Sequence, residues 1–117
     1  MTKQQISTRV ATVVPAADIT AKRGVTFDEA QAGANAIIMG VADENIKANY
    51  AGRVVLGESA IAEAGAAIDG TETRLMTDSQ GRVIPWTTGM NVAARLKKGQ
   101  LATAAGQFVE IYIFAKS

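Results

Sequence analysis

Residues 73–86, T-R-L-M-T-D-S-Q-G-R-V-I-P-W, constrain the fold more than any other stretch of the chain. Two apolar pairs, Leu75-Met76 and Val83-Ile84, flank Asp78-Ser79-Gln80-Gly81. Aspartate favours the opening of a turn, because its short carboxylate can accept nearby backbone N–H groups, and glycine supplies a left-handed residue where the turn closes. The pattern predicts a β-hairpin.

The last strong pattern agrees with it. Over residues 108–114, β-branched Val109, Ile111 and Ile113 alternate with Phe108, Tyr112 and Phe114, which predicts a strand with one aliphatic and one mostly aromatic face. Such a strand is central to a sandwich, or lays its aromatic face against a neighbouring subunit. Residues 35–41 form an apolar run without clean alternation, as expected of a strand covered on both faces. Residues 53–56 form a further short strand after the turn signal Asn49-Tyr50-Ala51-Gly52. Residues 60–67 have helical propensity, but Gly57, Gly65 and Gly70 cut the segment into pieces too short for a stable helix, so loop and short strand are expected. Thr26-Phe27-Asp28-Glu29 has capping-box spacing, yet Gly33 follows too soon for more than a turn or a short helix.

At the start of the chain, Ile6, Thr8, Val10, Thr12 and Val14 fall on one side of an extended segment that ends at Pro15. The wholly polar Thr2-Lys3-Gln4-Gln5 precedes it. This divides the 117 residues into an N-terminal arm or edge strand over 1–15 and one β-rich domain over 16–117. There is also an internal echo. Gly33-Ala34-Asn35-Ala36 and Ala51-Gly52-Arg53-Val54-Val55 return, in order, as Gly89-Met90-Asn91-Val92 and Ala105-Gly106-Gln107-Phe108-Val109, as two copies of a strand-loop-strand unit would.

Composition narrows function by exclusion. The chain has no cysteine and no histidine, which removes disulfides, thiolate catalysis and the commonest near-neutral acid/base group. The adjacent carboxylates Asp28-Glu29 and Asp43-Glu44 read as solvated turn residues. Ser7, Ser59, Ser79 and Ser117 lack a Gly-x-Ser-x-Gly setting, the glycines lack a phosphate-loop ending, and Asp69 to Asp78 does not make a calcium loop. No catalytic residue, cofactor or metal site is expected. Net charge is +1 with scattered Lys and Arg, so nucleic acid is not an expected partner. No apolar run approaches the roughly 20 residues of a membrane span, and the N-terminus lacks a signal-peptide core, so synthesis in a cytoplasm is expected and a membrane partner is not. Trp86, beside Pro85, reads either as a core anchor or as an interface contact.

The run E-A-G-A-A-I-D-G-T-E-T-R-L-M-T-D-S-Q-G-R-V-I-P-W, followed by G-M-N-V-A-A-R-L-K-K-G-Q-L-A-T-A-A-G-Q-F-V-E-I-Y-I-F, resembles the small capsid cement or decoration proteins of tailed bacteriophages. In that family a Gly-Ala-Ala-Ile-like segment leads to a strand, an Asp-x-x-Gly-Arg-like turn, a second strand, an Ala-rich loop and a terminal strand. A-D-I-T-A-K-R-G-V-T-F-D-E-A-Q-A-G-A-N-A-I-I-M-G-V-A looks like the family's first half, so the resemblance spans most of the chain. No single motif is diagnostic; the order of all of them carries the likeness.

The resemblance implies an all-β fold, a small barrel or sandwich of short strands and hairpins with long Gly/Ala-rich loops and an extended N-terminal arm. It implies a non-enzymatic protein, often a homotrimer, on the outer surface of an expanded capsid, bridging neighbouring subunits of the major capsid protein. The hairpin would then be a rigid wall of a clamp. Lys3, Gln4, Ile6, Thr8, Arg9 and Val10 are the expected capsid contacts, and Trp86, Phe108 and Tyr112 the expected subunit interface. The alternative is a small β-barrel interaction module of the virion, a tail accessory or host-surface binding protein.

Overall fold

The computed structural model describes residues 10–56 and 59–113. Among them run nine strands and no helix: β1 (Val10–Val13), β2 (Gly24–Thr26), β3 (Ile38–Ala42), β4 (Gly52–Val55), β5 (Ser59–Glu63), β6 (Arg74–Thr77), β7 (Val83–Pro85), β8 (Ala94–Leu96) and β9 (Phe108–Ile113). They form two antiparallel sheets, ordered β1-β4-β3-β2 and β5-β9-β8-β6-β7. The chain is all-β, with two open sheets packed together as a small sandwich.

The predicted hairpin is β6-β7, with Leu75, Met76 and Thr77 opposite Pro85, Ile84 and Val83. Asp78 holds its turn. The carboxylate accepts the N–H groups of Gln80 and Arg82 and the Arg82 guanidinium, each at 2.9–3.0 Å. Gly81 closes the turn at φ 80°, a conformation that excludes most side chains. Residues 60–67 begin as β5, paired along its length with β9, so the glycines end a strand there. At residues 26–29, where a turn or short helix was expected, the turn forms. Glu29 adopts φ 62° and accepts the Val14 N–H at 3.0 Å, so its carboxylate is not available to cap the Thr26 N–H, which donates to the Ala30 carbonyl.

The topology of the first half of the chain is repeated in the second. Strands β1, β4, β3 and β2 of the first sheet match β5, β9, β8 and β6 of the second, and the register matches with them. Val13↔Gly52 corresponds to Ala62↔Val109, Val25↔Gly40 to Leu75↔Ala94, and Ala42↔Val54 to Leu96↔Ile111. Outside the strands, the Ile19↔Ile46 bridge corresponds to Ile68↔Ala102, and the Asn49 N–H on the Pro15 carbonyl to the Gly106 N–H on the Ala64 carbonyl. Both Asn49 and Gly106 have positive φ. The hairpin strand β7 has its counterpart in the lone Val25↔Gln31 bridge; Ala32 donates to the Gly24 carbonyl as Trp86 does to that of Arg74. The second copy therefore lengthens a turn that the first already has. The echo in the sequence follows this order but is out of register: β3 and β8 align Asn35 with Gly89, not Asn91, and β4 and β9 align Gly52 with Val109, not Gly106.

Each sheet buries one face under its own flap. In the first unit Val13, Val25, Ala42 and Val54 lie beneath Ile19 and Ile46. In the second, Ala62, Leu75, Leu96, Val109 and Ile111 lie with Ile68 and Ala102. The second cluster extends across the seam to Ala32, Ile38 and Val41 of the first unit, with Ala36 and Val55 packed against it. In β1 the expected alternation holds over the described residues: Val13 is buried in the first core, while Val10 and Val14 are exposed.

Packing volume is exchanged between the two units. A Cβ on Gly52 would overlap the Ile46 side chain, so glycine there makes room for isoleucine. The equivalent positions carry valine, Val109, and alanine, Ala102. Gly52→Val should destabilise by about 1–3 kcal/mol through overpacking, and Ile46→Ala by about 2–5 kcal/mol through cavity formation. The double variant, which installs the second unit's pair in the first, should cost clearly less than the sum; additive losses in urea melts would show that the two sites do not share a volume.

Candidate functional site

The face of the second sheet that points away from its core is the most distinctive surface among the described residues. Because paired residues of an antiparallel sheet point to one side, Ser59, Tyr112, Arg95 and Arg74 form an outward row across β5, β9, β8 and β6, and Trp86 extends it beyond β7. Phe108 lies four residues along β9 from Tyr112 on the same side. Phe108 is 55% exposed and Tyr112 37%, whereas Val109, Ile111 and Ile113 are buried. The alternation in β9 thus reads correctly and β9 is interior to its sheet, but nothing in the described chain covers its aromatic face.

Trp86 stands outside both core clusters. Its ring carries the Arg74 guanidinium 4.1 Å from the ring centroid, and its indole N–H donates to the Met90 carbonyl at 2.7 Å. Trp86, Phe108 and Tyr112 share a face without forming one cluster. Arg74 and Arg95 separate Trp86 from Tyr112 by three strand spacings, about 14 Å.

Arg74 and Arg95 are directly opposed, a like-charge pair that costs stability unless neutralised. Glu72 neutralises one of them: its two carboxylate oxygens accept Arg74 Nε at 2.8 Å and Nη2 at 3.1 Å. These bonds, and the Arg74 backbone N–H, hold the Glu72 carboxyl below its ordinary range and raise the Arg74 guanidinium above its own. Arg95 has no carboxylate within 4.0 Å among the described residues. Beside it opens a groove of ≈ 550 Å³ bordered by Tyr112, Leu101, Lys97 and Lys98. Lys97 is paired with Glu110 at 3.3 Å. Sequence reasoning missed Arg95 and this groove; the signal was the alternation Ala94-Arg95-Leu96-Lys97, which is short and broken by Lys98-Gly99.

Of the expected capsid contacts, Val10 lies on β1 at the edge of the first sheet and is exposed. Lys3, Gln4, Ile6, Thr8 and Arg9 lie outside the described residues. The hairpin, expected as the wall of a clamp, packs its turn against the first unit at Gly81 and leaves Ser79 and Gln80 exposed. Gly24 donates to the Gly81 carbonyl at 2.8 Å, and Arg82 bridges Asp78 and Glu63, the latter also paired with Arg23 at 3.1 Å.

These features define a duplicated all-β sandwich with an uncovered outer sheet face. The same fold is present in the crystal structure of the N base of the head fiber gp8.5 in bacteriophage phi29, with a TM-score of 0.73 and 18% sequence identity, covering 94% of this chain and 97% of that one. No family model and no curated protein matches the chain.

The depressed Glu72 carboxyl fixes a pH response. A group whose folded pKa is lowered contributes stability above the ordinary carboxylate range and loses it as pH falls through the folded value. Protonating Glu72 should loosen Arg74 from the single tryptophan, Trp86. Its fluorescence should therefore titrate with a midpoint below the ordinary glutamate range, and Glu72→Gln should abolish that step. A midpoint at or above the ordinary range would show that the ion pair does not hold in solution.

Proposed function

We propose that this protein is a non-enzymatic structural component of a tailed-phage virion. It binds the outer surface of the expanded capsid and ties neighbouring major capsid protein subunits together. The observation that carries the reading is the likeness, over nearly the whole of both chains, to the base of a phage head fiber. A composition without histidine or cysteine is in keeping with a non-enzymatic role. The working form is a homotrimer, and the uncovered face with Trp86, Phe108 and Tyr112 is its subunit interface. Lys3, Gln4, Ile6, Thr8, Arg9 and Val10 are the capsid contact, because β1 is an edge strand that begins at Val10 and can pair with an exposed strand of the shell.

A protein that binds the assembled shell and not its separated subunits stabilises the shell by RT ln(1 + [L]/Kd) at each site, about 2.7 kcal/mol at 100 times Kd. Stripped, expanded shells should release DNA at a higher temperature when the protein is added back. The gain should fall only mildly with salt, since the ion pairs of the chain are largely internal and its net charge is +1. Equal release temperatures at saturating occupancy would reject the cement role and favour the host-surface or tail alternative.

Deleting residues 1–9 should weaken shell binding and leave the melting temperature unchanged. The deletion must stop there, because Val13 is 1% exposed and belongs to the first core. A truncated protein that melts lower and still binds would reverse the assignment.

A further inference from the structure

The duplication allows the outer faces of the two sheets to be compared position by position. In the first unit Ala32, Ile38 and Val41 are each 2% exposed, covered by the second unit, with Ala36 and Val55 packed alongside. Registers of the sheets place Trp86, Val92, Arg95, Met90 and Tyr112 at the corresponding positions of the second unit. Four of these five are large apolar or aromatic residues, yet Met90, Val92 and Tyr112 are 39%, 40% and 37% exposed. Among the described residues nothing covers this matching face of the second sheet.

What covers the first seam identifies what fits the second. The edge strand β5 contacts β3, and Ser59, Ala60 and Ile61 border Val41 and Val55 across a small gap of ≈ 180 Å³. The register equivalent of β5 is β1, also an edge strand, which carries the exposed Val10 and is followed by the exposed Val14. The chain therefore presents both halves of a second seam, on opposite units, where they cannot meet within one molecule.

We infer that copies of this protein associate head to tail, with β1 of one copy seated on the outer face of the second sheet of the next at Val92, Arg95 and Tyr112. The contact repeats the seam inside the chain. It is heterologous: two different patches meet, and a ring results where the rotation closes. The inference rests on the homo-oligomer reading and adds to it which surfaces pair. It takes Val10 from the capsid contact proposed above into the seam and leaves Lys3, Gln4, Ile6, Thr8 and Arg9 for the capsid.

The experiment is sedimentation of the full chain over a range of concentrations, using Val92→Asp and Val14→Asp. Both positions are exposed, so the folds should survive, as circular dichroism and unchanged melting temperatures will establish. Each variant alone should associate at least tenfold more weakly than the parent. Mixed in equal amounts they should form a heterodimer, because Val92→Asp keeps an intact β1 and Val14→Asp an intact sheet face. If the parent associates and Val14→Asp associates equally well, or if the mixture stays monomeric, the head-to-tail contact is wrong and the oligomer reading stands. A parent monomeric at every concentration overturns both.

Discussion

The seam between the two sheets is the constraint on which the rest of the structure depends. A sheet with a flap over one face can bury that face alone, but the first sheet is apolar on its other face as well, at Ile38, Val41 and Val55. That surface must be covered. The second unit covers it with its edge strand and core, and polar groups fix how the two fit. Thr77, 0% exposed, donates its hydroxyl to the Gly33 carbonyl at 2.7 Å and accepts the Ala36 N–H at 2.9 Å, which satisfies two backbone groups of the first unit inside the second. Around it, Arg23, Glu63, Arg82 and Asp78 form a chain of half-buried ion pairs. Such pairs add little net stability after desolvation. Their orientation demands are what they contribute here, since a slip of either sheet would strand a charge.

Duplication explains substitutions that look arbitrary in one copy. Arg53 pairs with Asp43 at 3.1 Å, and the equivalent pair is Glu110 with Lys97 at 3.3 Å, the same cross-strand bridge with its charges reversed. Ile46 with Gly52 becomes Ala102 with Val109, the same volume divided differently. In both cases the fold specifies a sum, of charge or of volume, and leaves its division open. Sequence identity between the halves can therefore be low while their registers agree.

This is also why some features were legible in the sequence and others were not. Asp78 and Gly81 are read correctly because a turn of that shape needs a short acceptor at one end and a left-handed residue at the other, whatever surrounds it. Strand β9 is legible because six residues alternate without a break. The short strand β8 was not seen: Ala93, just before it, and Ala94, its first residue, are both buried, so alternation fails at its start. At residues 26–29 a local signal lost to a tertiary one, when Glu29 turned to the Val14 N–H. The outward row of Arg74, Arg95 and Tyr112 comes from three strands separated in sequence, and periodicity within a strand cannot show which residues share a row. The echo follows the order of the two copies but its matched residues are not their structural equivalents, because abundant Gly and Ala match at several offsets.

The two units have the same plan and unequal fates. The outer face of the first sheet is consumed in making the monomer, and the matching face of the second carries Arg95 where the first has Val41, with Tyr112 in place of Val55. A charge and an amphipathic ring in place of two valines let this face meet water, since each carries a polar end that can be solvated. A fully aliphatic copy of the first face would be an exposed apolar patch prone to non-specific association. The longer hairpin of the second unit serves the internal seam: its turn reaches back to the first unit, where the Gly24 N–H donates to the Gly81 carbonyl at 2.8 Å.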